Sequence, residues 1–161
     1  MTVKVNLGTL ALASPNFEHG QRIPDGHTCE GPGTPPELTW SGVMEGTRSF
    51  ALVVHDPDAP LINGFVHWVI YNIPAEVREL SGATAEKYTI GKSGLGNPKW
   101  EPPTPFRGHG RHHYFFHLYA LGSEPDLAPG MSSDELLARI KGDVICQARL
   151  VGTFDRPQEQ G

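Results

Sequence analysis

HGRHHYFFHLYAL, His109 to Leu121, carries the decision about the fold. From His113 onward its residues keep period-two order. His113, Phe115, His117 and Tyr119 share one face, and Tyr114, Phe116 and Leu118 the other. That pattern predicts a strand. Three further segments read the same way. SFALVVHD (Ser49–Asp56) is a short apolar run that ends in polar residues, as a buried strand does. GFVHWVIYNIP (Gly64–Pro74) is rich in β-branched and aromatic residues and stops at a proline. In VICQARLVGTF (Val144–Phe154), Val144, Cys146, Ala148 and Leu150 alternate with Ile145, Gln147 and Arg149. One helix is predicted, SSDELLARIKG (Ser132–Gly142). It has a serine cap, acids in the first turn, basic residues in the last and a glycine stop. The segment from Ala75 to Arg111 reads as a long loop, and such loops in compact domains are often functional.

Composition narrows the class. A chain of 161 residues, 38% hydrophobic and 19% charged, fits one globular domain spanning residues 1–161. Its net charge of −5 gives no reason to expect a nucleic-acid partner. The 19 glycines and 15 prolines mean many turns. Cys29 and Cys146 are far apart and in no ligand-like spacing, so reduced thiols are expected. MTVKVNLGTLALASPNF, at the start, lacks the pattern of a secretory signal. No stretch approaches the roughly 18 apolar residues of a membrane helix. A cytoplasmic protein without a membrane span is expected.

Six of the eight histidines lie between positions 55 and 117. They admit three readings: ordinary strand and surface residues, a metal site, or a pocket for an anion. HxxHH offers imidazole ligands for zinc, but the spacing matches no metal motif and no cysteine is close. In an anion pocket, imidazoles and backbone N–H groups donate to a phosphate or carboxylate. HDPDAP (His55–Pro60) adds two acids, Asp56 and Asp58, in a loop stiffened by prolines. Alone it reads as a simple turn. Beside a histidine, an aspartate orients the ring and raises its proton affinity. Strict alternation places His67 with Phe65, Val69 and Tyr71, opposite Trp68 and Ile70, so only the tertiary fold could bring His67 to His112. No G-x-S-x-G is present, and GKSGLG lacks the Walker spacing, which argues against a classical hydrolase or NTPase.

Several motifs, in order, resemble one family. RIPDGHTCEG, PPELTWSGVMEGTRSFALVVHDPDAP, GFVHWVIYNIP, GHGRHHYFFHLYAL and ELLARIKGDVICQARLVGTFDR are similar to the phosphatidylethanolamine-binding proteins, in their bacterial Raf-kinase-inhibitor-like branch. The resemblance implies a mainly β Greek-key sandwich of two antiparallel sheets with one or two short C-terminal helices. It also implies a small anion pocket at one end. By similarity, Asp56, Asp58, Pro60, His67, Thr104, His112 and Tyr114 bind the ligand. The Ala59–Pro60 bond is expected to be cis, because the loop resembles a tight proline turn. The segment before the last histidines departs from the family pattern. Lys99 and Trp100 replace a glycine–tyrosine pair, Glu101 a glycine, Phe106 a proline and His113 an arginine. Trp100 and Phe106 are therefore expected at an enlarged, aromatic lip.

The expected function is a module that binds a small anionic or phosphorylated ligand and inhibits or regulates a partner protein. The alternative is an enzyme acting on a small molecule, with His67, His112, Asp56 or His55 as general acid or base. No cofactor and no metal are expected. A homodimer is left open.

Overall fold

In the computed structural model, residues 8–157 are described. The first seven residues of MTVKVNLGTLALASPNF, read above as lacking a secretory signal, lie outside them.

The eight strands are β1 (Ala11–Ala13), β2 (Leu38–Ser41), β3 (Ser49–Asp56), β4 (Phe65–Pro74), β5 (Glu79–Leu80), β6 (Thr89–Ile90), β7 (His112–Leu121) and β8 (Val144–Phe154). Two helices, α1 (Gly82–Ala85) and α2 (Ser133–Ile140), complete the described elements together with a 3-10 turn at Asp25–His27. Strands β6-β4-β3-β7-β8 form one antiparallel sheet, and β1-β2-β5 a smaller one. The alternation of β7 holds: His112, Tyr114, Phe116, Leu118 and Ala120 are buried, while the residues between them are half-buried. Tyr114, Phe116, Leu118 and Ala120 join Val54 and Trp68 from the large sheet and Leu12, Trp40 and Leu80 from the small one in the main core. On the outer face, Val53, Val69 and Tyr71 pack against Leu136 and Ile140 of α2. Helix α2 starts where the sequence says, with Ser132 and Glu135 in a reciprocal cap. Among the described residues no helix is long and apolar enough to cross a membrane. Both cysteines are free.

Three expectations are corrected. The Ala75–Arg111 segment is not structureless: it holds β5, β6 and the capped turn α1. These pieces are too short to show a period. The Ala59–Pro60 bond is trans, like every other described peptide bond. The turn is closed instead by the Asp56 carboxyl, which accepts the Asp58 N–H at 2.8 Å, and by positive φ at Asn63 and Gly64. At Gly64 a Cβ would collide with the Asp56 carbonyl.

The third correction concerns β4. Val54 pairs with Trp68, but His55 pairs with Val66, so His67 is an extra residue in a β-bulge. Beyond the bulge the parity is reversed. Val69 and Tyr71 belong to the outer face, while His67 sits beside Trp68 on the inner one.

Candidate functional site

The inner ends of β3, β4 and β7 meet at a cavity of about 460 Å³. Its polar floor is Asp56, His67, His112 and Tyr114. Asp56 is the last residue of β3, His67 is turned inward by the bulge, and His112 begins β7. The Tyr114 ring lies between the two imidazoles, 5.2 Å from His67 and 6.4 Å from His112 by ring centres. Glu101, Thr104, Pro60, Pro102 and Pro105 line the walls. Phe65, Leu61, Leu95 and Phe106 form an apolar rim.

The hydrogen bonds fix the rings. His67 donates Nδ1–H to the Glu101 carbonyl at 2.6 Å, so its Nε2 is left as the acceptor in the neutral ring. Burial pulls the His67 pKa down to about 4, against the opposing pull of the Glu101 carbonyl and Asp56. His67 is therefore neutral at pH 7, not an imidazolium. His112 meets the Asp56 carboxyl through Nδ1 at 2.7 Å, and each side chain is 3% exposed. Burial, with Asp56 nearby, raises the Tyr114 hydroxyl well above the ordinary tyrosine value.

The expected site residues divide. Asp56, Pro60, His67, Thr104, Phe106, His112 and Tyr114 line the cavity together. Asp58 does not; it turns away to His113. His55 points to the outer face, where its Nε2 lies 2.7 Å from the Asn63 carbonyl oxygen and its ring lines a separate hollow with His117. Trp100 is corrected from lip to core. It is 6% exposed and packs against Trp68 and Phe116, behind His67. Its indole Nε1 has no hydrogen-bond partner among the described residues, so apolar packing alone sets its place. Sequence reasoning missed Glu101 as a wall residue, although its departure from the usual glycine was the available signal. His109, weighed there only as a possible metal ligand in HxxHH, is instead bonded to His112, at the i, i+3 spacing of the opening motif.

Fold and pocket together define a class, and sequence comparison agrees with it. The model of the phosphatidylethanolamine-binding protein family matches residues 13–155, and the chain belongs to that family. It is 39% identical over 158 residues to a UPF0098 protein of Aquifex aeolicus, covering 91% of this chain and 89% of the relative. Among solved structures, a putative phosphatidylethanolamine-binding protein homologue from Chlamydia trachomatis superposes with a TM-score of 0.86 at 31% identity. The match covers 92% of this chain and 99% of that one. YbcL of Escherichia coli, described as a new member of the mammalian family, gives 0.85 at 31% identity with the same coverage.

Proposed function

We propose that the protein is a binding module for a small amphipathic acid, such as a phosphate or carboxylate carried on an apolar body. The observation that carries this is the cavity itself: Asp56, His67, His112 and Tyr114 as a polar floor beneath an apolar rim. About 460 Å³ lies within the range of small-molecule sites. Among the described residues the exposed large hydrophobics are Leu61, Ile62, Leu95 and Phe106, and three of these four rim the cavity. An apolar ligand body would cover them.

The head group must satisfy a demanding floor. The Asp56 carboxyl and the His67 Nε2 both favour donors. An anion is accommodated where Nε2–H of the His112 ring donates to it. A ligand-dependent contact between this rim and a partner protein would make the module an inhibitor or regulator, in a cytoplasmic setting. Calorimetric titration with phenyl phosphate and with inorganic phosphate tests the reading. His112→Ala should weaken binding about ten- to a hundred-fold, the worth of one charge-assisted hydrogen bond. His19→Ala, away from the cavity, should leave it unchanged. Equal affinity in the His112 variant would remove the reading.

A second reading rests on the Asp56–His112 pair. A carboxyl-oriented imidazole beside a neutral histidine is also an acid–base arrangement. It requires that a small molecule in a metabolite extract be converted by the protein and not by His112→Ala.

A further inference from the structure

The loop that leads into β7 holds His109, an exposed residue between Gly108 and Gly110, whose φ values are 74° and 105°. Both angles favour glycine. The backbone is anchored: the Gly108 N–H donates to the Arg156 carbonyl at 2.8 Å, and the His109 N–H to the Phe106 carbonyl at 3.0 Å. The His109 side chain folds back onto His112. Its Nδ1 lies 2.6 Å from Nε2 of His112, with ring centres 4.8 Å apart. On its far side His112 meets Asp56. The three groups form one chain, from a buried carboxyl to a ring in solvent.

Two ring nitrogens at hydrogen-bond distance need one proton between them. Nδ1–H of His112 is committed to Asp56. The second proton therefore sits either on Nε2 of His112, which makes that ring cationic, or on Nδ1 of His109. In both cases His109 is bonded to the atom that an anionic ligand would use. The other titratable groups around His112 are His67 from β4, Tyr114 from β7, Asp58 from the turn after β3, and Glu101 from the opposite wall. Among the hydrogen bonds of the described residues, Nε2 of His112 is bonded to His109 and not to any of these four.

We propose that His109 is a built-in competitor for the ligand's acidic group. It occupies Nε2 of His112 while the cavity is empty and shares that atom's proton. It leaves by rotation of its side chain when an acidic oxygen takes its place. The inference rests on the acid-binding reading above and adds a selection rule: the head group must be a better acceptor than an imidazole.

The test uses the full chain with 15N-labelled histidine. In the free protein, a scalar coupling across the hydrogen bond should link His109 Nδ1 to His112 Nε2. His109→Ala should shift the His112 Nε2 signal and leave that of His67 in place. At saturation with phenyl phosphate, the wild-type His109 ring should move to the shifts of a solvent-exposed histidine. His109→Ala should bind phenyl phosphate about ten-fold more tightly, since one net hydrogen bond no longer has to be broken. His109→Gln, whose amide can still reach Nε2, should fall between. Equal or weaker binding by His109→Ala, with wild-type binding intact, overturns the competitor and leaves the acid-binding reading standing. No binding by either protein overturns both. Absence of that coupling between the two rings in the free protein overturns the competitor alone.

Discussion

His112 and His113 are neighbours on β7, and each meets an aspartate of the same turn at 2.7 Å. By distance the two pairs are twins. By surroundings they are opposites. His112 and Asp56 are each 3% exposed, whereas His113 and Asp58 are 46% and 38% exposed. The pleat produces the difference by sending successive side chains to opposite faces. A short contact thus says little about its weight in the fold until the solvent around it is known. Water screens the outer pair, while the inner one has only its partners to compensate for lost hydration.

The largest expected effect would break that contrast if absent. Asp56→Ala leaves a buried imidazole facing no carboxyl and should cost about 3–5 kcal/mol in urea unfolding. Asp58→Ala, on the exposed twin, should cost about 1 kcal/mol or less. Equal losses would mean that burial is not what separates the pairs.

The segment before β7 offers the same contrast without charges. Trp100 is buried and Phe106 is 71% exposed. Trp100→Ala should cost about 3 kcal/mol or more, by removing a core aromatic. Phe106→Ala should change the unfolding midpoint little and instead weaken phenyl phosphate binding. A stable Trp100 variant with impaired binding would restore Trp100 to the lip.

Acid sharpens the comparison by a smaller margin. His67 inside and His117 outside are both pushed down to about 4, chiefly by burial. Between about pH 4 and the ordinary value of 6.5 the unfolded chain binds protons at these positions and the native protein does not, so stability rises with pH. Moving from pH 7 to pH 5 should remove about 2 kcal/mol for each histidine. His67→Gln and His117→Phe should each flatten the profile by about half. At Asp58, partial burial acts upward, but the hydrogen bonds and charge of His113 outweigh it and hold the carboxyl below 3.8. The support from the exposed pair should therefore be lost only at still lower pH, as the carboxyl is protonated. A profile flat down to pH 4 would show that neither histidine resists protonation.

What could be read from the sequence followed the length of each signal. Strands Ser49–Asp56 and Val144–Phe154 have the limits that their apolar runs predict, and helix α2 begins at its serine cap. Strands β5 and β6, two residues each, carry no readable period, and their pairing comes from distant partners. Of the residues expected in the pocket, those that end or begin a strand fall at the cavity, as Asp56 and His112 do. His55 alternates with Asp56 and falls outside it, while Asp58 lies past the end of β3, in the turn, where its carboxyl goes to His113. Trp100 was placed by position in a loop, where no periodicity constrains which way a side chain turns. For His67, alternation gave the wrong neighbours, because a bulge is invisible in a polar–apolar pattern.

That bulge makes the site sensitive to length as well as to chemistry. Deleting Val66 would replace no pocket residue, yet it would restore unbroken pairing and bring His67 opposite His55. The imidazole would then project from the outer face of the sheet, and the cavity floor would lose it. A substitution can be tolerated or repaired by its neighbours. A frame of side chains that must be counted from the end of a strand has no such tolerance. In this protein single-residue deletions belong in the loops, and the stretch from Phe65 to Trp68 should reject them even where it accepts a change of residue.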